Sequence, residues 1–276
     1  MNVKDLAESD SIDWPDDAKE LIQKTLGNDR APLDERLVAA ELASDISVID
    51  DGVVLQLLAL VKRSDVPEEL RAKAATALGP ILEQGDVMGF DDPDDTPVSE
   101  QTFERLRETL RTLYAEASFP KLVRRRILEA AVRSPQSWQQ AATRAAYQSA
   151  DRDWKLTGVF AMGHVAGFEP QILEALSSPD PELRLEAVIA AGKREMKGAT
   201  PHILKLLQAS DTPRNMRLAA IEAAAGMPWP EVADVLTELQ DSQDEEVAGA
   251  ALEAATMSQG LHELGDVGEP EDDEDE

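Results

Sequence analysis

Apolar and small residues recur at helical spacing in short segments that are near-copies of one another. Between Pro181 and Gly192 the chain reads PELRLEAVIAAG, one helix with Arg184 set in an otherwise apolar and small-residue face. Pro67–Gly79 (PEELRAKAATALG), Pro120–Val132 (PKLVRRRILEAAV) and Asp153–His164 (DWKLTGVFAMGH) repeat it, as do Pro213–Gly226 (PRNMRLAAIEAAAG) and Asp244–Ala255 (DEEVAGAALEAA). Aligned on the residue after the first large apolar position, the copies superpose Arg71, Arg124, Lys155, Arg184, Arg217 and Ala248. Arg36, in LDERLVAAELA, joins them at the N-terminal end. Successive gaps are 35, 53, 31, 29, 33 and 31 residues. A near-constant period with one oversized gap predicts an all-α solenoid of about seven two-helix repeats, each packing only on its neighbours.

Each copy is the second helix of a hairpin, and a shorter apolar-periodic stretch precedes it. The expected pairs are Leu21–Leu26 with Leu33–Ala43, Val53–Val61 with the helix from Pro67, and Phe103–Leu113 with Leu122–Val132. Trp138–Tyr147 pairs with Trp154–Val165, and Pro170–Leu176 with Pro181–Ala191. Pro201–Leu207 with Arg214–Ala225 and Pro230–Leu239 with Glu245–Ala255 complete the set. The turns carry Ser, Asp and Pro, residues that cap a helix or open it without wasting an amide donor. The helix from Pro67 is expected to run on through Leu82 to Gly85. After it, residues 86–100 (DVMGFDDPDDTPVSE) hold six acids and no base, which predicts a loop excursion and explains the gap of 53. The domain reading is therefore an acidic disordered N-terminus over 1–16, a solenoid over 17–258 with an acidic loop insert at 86–100, and a disordered acidic tail over 259–276.

Charge refines this division. The formal net charge is −28, of which residues 1–20 supply −5, the insert −6 and residues 263–276 −9. The folded stack is only moderately acidic, and the excess lies on segments expected not to fold. Solubility is the plain use of such blocks; covering a basic groove is the alternative. Absence of cysteine excludes a disulfide framework and thiolate chemistry. The acidic start does not match a signal peptide, and Val53–Val61 is too short to span a bilayer. The expectation is a soluble, cytoplasmic protein, monomeric alone and without membrane contact.

The repeating unit has a first apolar helix, an Asp in the turn, Pro or acid opening the second helix, then Leu/Val-Arg-x-x-Ala-x-x-Ala. Ile172–Gly192 (ILEALSSPDPELRLEAVIAAG) is the cleanest copy, followed by Phe103–Val132, Ile203–Gly226 and Leu57–Gly79. This motif resembles HEAT repeats, specifically the short bacterial kind described as PBS-lyase HEAT-like, over roughly residues 33–258. The resemblance implies a right-handed α-α superhelix of HEAT/armadillo type, and a family ranging over scaffolds, lyases and hydroxylases. It maps the family's turn Asp and helix Arg to Asp65 with Arg71, Asp180 with Arg184, and Asp211 with Arg217. Asp151 with Lys155 is a base-exchanged pair, and Arg124 is the third repeat's member. These residues are expected to form a structural ladder, the Arg reaching back to a carboxylate at the mouth of its helix or to its neighbour in the adjacent unit.

Candidate chemistry is sparse. Iron-holding relatives use repeated His-Glu pairs, whereas this chain has His164, His202 and His262, and only His262-Glu263 is such a pair. No metal and no cofactor is expected. Asp91–Asp95 (DDPDD) lacks the spaced positions and turning Gly of a calcium loop. A bilin-lyase-like activity would need an aromatic and basic groove, for which Trp138, Trp154, Arg124, Arg125 and Arg126 are the candidates. Nucleic-acid binding runs against the net charge, since phosphate contacts supply much of that affinity. Lys121, Arg125, Arg126 and Arg133 nonetheless form a basic cluster around Arg124. Arg124 is the ladder residue, so Arg125 or Arg126 is expected to be exposed. Second helices should line a concave surface, with Lys73, Arg126, Glu186 and Glu222 near it, polarised from basic to acidic. Lys193, Arg194 and Lys197 interrupt that trend. The functional expectation is a non-catalytic scaffold or adaptor that binds another protein or peptide along this surface. Its candidate contacts are Lys73, Lys121, Arg125, Arg126, Arg133, Trp138, Glu186, Lys193, Arg194 and Lys197.

Overall fold

Helical periodicity becomes seven consecutive helix pairs. The computed structural model describes residues 2–92, 96–226 and 230–266, and of Pro230 and residues 259–266 the backbone only. The first helices are α2 (Ala18–Gly27), α4 (Asp51–Lys62), α7 (Glu100–Ala115), α9 (Gln139–Tyr147), α11 (Glu169–Leu176), α13 (Thr200–Gln208) and α15 (Pro230–Leu239). Their partners are α3 (Leu33–Leu42), α5 (Glu68–Ala77), α8 (Lys121–Ala131), α10 (Arg152–Met162), α12 (Pro181–Lys193), α14 (Arg214–Ala225) and α16 (Glu245–Asp266). Two helices stand outside the pairs, α1 (Val3–Ala7) and α6 (Gly79–Met88). No strand occurs among the described residues, and none of their helices is long and apolar enough to cross a membrane.

The chain divides into two compact units, Met1–Arg144 and Ala145–Glu276, each with its own apolar core. In the first unit α5 packs between α3 and α8; in the second, α12 packs between α10 and α14, and α14 also packs on α16. Small residues permit this approach. A Cβ built on Gly192 would lie 2.6 Å from the Cα of Ala223, and one on Gly163 would lie 3.2 Å from the Cα of Ala190. Both glycines stand eight residues after a ladder base, so the sequence places its smallest side chain where neighbouring second helices come closest.

Two cap chemistries open the second helices. Pro32, Pro67, Pro120 and Pro213 occupy the cap before α3, α5, α8 and α14. Asp151, Asp180 and Asp244 occupy it before α10, α12 and α16. Asp151 accepts from the amides of Asp153 and Trp154, Asp180 from those of Glu182 and Leu183, and Asp244 from those of Glu246 and Val247. Each capping Asp donates its own amide to a serine two residues earlier, Ser149, Ser178 or Ser242. The Ser-x-Asp turn thus satisfies the orphan amides of a helix start with side-chain oxygens.

Four expectations are corrected. The N-terminal stretch is not wholly unstructured: Asn2 and Asp5 form a capping box on α1, and Val3 and Leu6 are buried. Two apolar residues one turn apart suffice to dock a short helix on α3, which the acidic composition hid. The helix from Pro67 does not run on to Gly85; it breaks at Leu78, and α6 starts at Gly79 with Pro80 behind it. Proline lacks the amide a continuous helix needs there. The end of the insert is anchored, because Ser99 donates its amide and hydroxyl to Asp51 at 2.8 Å each and Thr96 and Val98 are buried. At the C-terminus, α16 continues as helix to Asp266. The remainder of the expected tail, 267–276, and insert residues 93–95 lie outside the described residues.

Candidate interaction surface

The ladder residue always sits four positions after the cap. Its amide donates to the cap carbonyl, as in Arg36 to Pro32, Arg71 to Pro67, Arg124 to Pro120, Lys155 to Asp151, Arg184 to Asp180 and Arg217 to Pro213. Arg36 meets a turn carboxylate as expected, its Nη2 lying 3.1 Å from Asp29. Four ladder arginines turn to the end of the preceding helix, Arg36 in addition to its contact with Asp29. Arg36 Nη2 donates to the Leu26 carbonyl at 3.0 Å, Arg71 Nε to Val61 at 3.0 Å and Arg124 Nε to Tyr114 at 3.0 Å, each ten residues back. Arg217 Nη2 donates to Ala209 at 2.7 Å. A helix C-terminus leaves carbonyls without partners and carries partial negative charge, so a guanidinium is stabilised there. Arg36 and Arg71 are buried, and Arg71 also lies over the Phe119 ring at 4.8 Å. Lys155 lies over the Tyr147 ring at 5.6 Å, and Arg184 keeps a buried Nε without a protein partner.

The turn carboxylates join a second, lateral set of contacts. Arg152 forks onto Asp180 at 2.6 and 2.9 Å and reaches Glu182 at 3.0 Å. Arg214 does the same to Asp244 at 2.6 and 3.1 Å and also pairs with Glu246. Arg63 clamps Asp29 and its own neighbour Asp65. The hydrogen bond and charge of Arg63 hold the Asp65 carboxyl down at about 2, and Arg214 does so for Asp244, also to about 2. Asp211 is exposed at its turn. Sequence reasoning missed these bridges. The signal for those of Arg152 and Arg214 is a base directly after one cap facing an acid at the next cap and two residues beyond it.

Residues just after the ladder face outward from the second helices. In the first unit they form a shallow groove of about 390 Å³ across α3, α5 and α8. Leu37, Val38, Ala72 and Leu122 give it an apolar lining, and Glu41, Glu69, Lys73, Thr76 and Arg126 give it a polar one. Lys73 is paired with Glu41 at 2.8 Å, and Arg126 with Glu129. The surface therefore alternates in sign and is not simply basic. In the second unit Ile189, Gly192, Lys193, Ala219, Glu222 and Ala223 line a smaller hollow of about 170 Å³ on α12 and α14.

The remaining candidates disperse. Arg125 is 8% exposed, which removes it from any docking surface and leaves Arg126 as the outward member of the triplet. Successive helix positions turn by about 100°, so Arg125 faces the core side. Arg133 pairs with Glu83 at 2.6 Å and lays its stem against Gly79. Trp138 stacks beside Tyr114 at 5.1 Å and donates to Gln136 at 2.5 Å. Lys121 is exposed at the start of α8, Glu186 is half-buried on α12, Arg194 is half-buried at its C-cap, and Lys197 is exposed in a 3₁₀ turn. Lys193 lies 3.4 Å from His164. The side chain of His262 lies outside the described residues. Of the residues expected for a tetrapyrrole groove, Arg124, Arg125 and Trp138 are thus committed to internal contacts.

The family described as HEAT repeats matches residues 169–256. The chain is similar in fold to the complex of CpcE and CpcF of phycocyanin lyase from Nostoc sp. PCC7120. The TM-score is 0.54 at 16% identity, covering 93% of this chain and 98% of that one. A weaker likeness, TM-score 0.42 at 15% identity, joins it to human deoxyhypusine hydroxylase over 90% of this chain and 86% of that one. No curated protein sequence matches it significantly.

Proposed function

We propose that this chain, whose residues 169–256 match HEAT repeats, is a scaffold that holds an extended segment of another protein against its second helices. The observation that supports this is the groove across α3, α5 and α8, where an apolar lining meets Glu41, Glu69, Lys73 and Arg126. Apolar lining excludes water and supplies affinity, while fixed charges of alternating sign select orientation and partner more than they add binding energy. The Glu41–Lys73 pair keeps the rim ordered before a partner arrives.

The test is the paired charge reversal Lys73→Glu with Arg126→Glu. Both side chains are partly exposed, so each lost surface ion pair costs only about 0–1 kcal/mol and folding is retained. Affinity purification with mass spectrometry from native cells should recover a stoichiometric partner with the parent chain and lose it with the variant. Equal recovery by the two would refute the reading. A lyase-type protein would instead carry a coloured chromophore, visible by absorbance in the purified material.

A further inference from the structure

We propose a second docking site, on the other side of Glu41 from the groove, that takes a cationic, apolar segment of another protein. It is a cavity of about 560 Å³ in the first unit, between the 3₁₀ turn Ser11–Asp13, the end of α3 with its following turn, and α6. Its apolar wall is Trp14, Leu42, Ile46, Ile49, Pro80 and Ile81.

Trp14 Nε1 donates to the carbonyls of Leu6 at 3.0 Å and Ser9 at 3.3 Å, which pins the turn after α1 as one wall. Ile49 and Ile81 are buried at 3% and 1%, so the floor belongs to the core. Ile46 lines the same cavity yet is 54% exposed. Ile12, next to the lining Ser11, is 91% exposed, and Met88, one helical turn beyond the lining Gln84, is 50% exposed. Large aliphatic side chains gathered around one concavity mark an interaction surface, whereas scattered ones do not.

Charge states what kind of segment fits. The lining contains Asp10, Glu41 and Asp45 and no Lys or Arg. Glu41 is held by Lys73 from the groove side. Asp45 is fixed by the amide and hydroxyl of Ser47 at 2.9 and 2.6 Å, and Asp10 makes no capping bond with its side chain. Two oriented carboxylates beside an aliphatic pocket complement a helix or strand that alternates Lys or Arg with Leu-like anchors.

The probe is a synthetic amphipathic peptide with Leu on one face and Lys on the other, set against its Glu-for-Lys counterpart and an oligolysine of equal charge. Binding to the full-length chain is read by anisotropy of the labelled peptide, and its location by hydrogen exchange. The Leu/Lys peptide should bind and protect residues 9–14 and 42–49. Ile46→Ser, which leaves charge unaltered at a half-exposed position, should weaken it about tenfold without moving the melting point. A groove variant that leaves the Lys73–Glu41 pair intact, Arg126→Glu alone, should bind it like the parent. Three results each overturn the proposal: oligolysine binding equally well, which marks attraction to the acidic segments only; no change with Ile46→Ser; or loss of binding in the groove variant, which moves the peptide to α3, α5 and α8.

Discussion

The two units solve one packing problem in different ways. In the first, every second helix of a complete hairpin is opened by proline, and its ladder arginine is tied to a carbonyl of the preceding helix. In the second, α10, α12 and α16 are opened by Ser-x-Asp turns, and their ladder positions, Lys155, Arg184 and Ala248, show no such tie. Only α14, opened by Pro213, keeps it through Arg217. The cap decides which end of the hairpin is satisfied by a side chain. A proline offers no oxygen to the helix start, and there the arginine secures the carbonyls at the end of the helix before it. An aspartate secures the amides of its own helix, and both units add cohesion between hairpins, through Arg63 in the first and Arg152 and Arg214 in the second.

The largest effect that follows is in the first unit. Arg71→Ala removes a buried charge-assisted hydrogen bond and the guanidinium that lies over the Phe119 ring, and should cost about 2–4 kcal/mol in urea unfolding. Lys155→Ala, its counterpart in the second unit, should cost less than about 1 kcal/mol, since the lysine is half-exposed. Equal losses would mean that the ladder position matters only for its place in the repeat, whatever it bonds.

Gly192→Ala tests close packing inside the second unit. The new methyl would meet the Ala223 backbone at 2.6 Å, which no side-chain rotation relieves, so about 1–3 kcal/mol should be lost. Gly249→Ala on α16 meets nothing within 4 Å and should gain about 0.5–1 kcal/mol from helix propensity. If both substitutions destabilise alike, helix contact is not what placed glycine at position 192.

The smallest effect belongs to the lateral bridges. Arg214→Ala should lower the melting point by no more than about 2 °C, and the difference should fade as salt is raised. Its pH signature is sharper. The folded-state pKa of Asp244 is depressed to about 2 by Arg214, so its contribution is complete above the ordinary carboxylate value near 4 and is lost as pH falls through 2. Acid titration of the parent should show a loss of stability in that window that the Arg214→Ala protein lacks.

Regular spacing made the hairpins legible before any coordinates, because apolar periodicity and the ladder at Arg36 to Arg217 depend only on neighbours along one helix and on a repeating offset. The Gly eight residues after the ladder acquires its meaning only from the contact with the Ala of the next second helix. What the linear pattern could not carry was direction. Arg124, Arg125 and Arg126 are chemically alike, and only the rotation of α8 in the packed unit turns Arg125 inward and Arg126 outward. A guanidinium beside a turn Asp and a helix-end carbonyl has two acceptors in reach, and the packed geometry gives it the carbonyl in four repeats, with Arg36 taking Asp29 as well. The cavity beside Trp14 depends on α1 and α6, which lie outside the repeat, and on contacts among residues some seventy positions apart. Periodicity reports what is local and repeated; tertiary packing decides where side chains from distant, irregular segments meet.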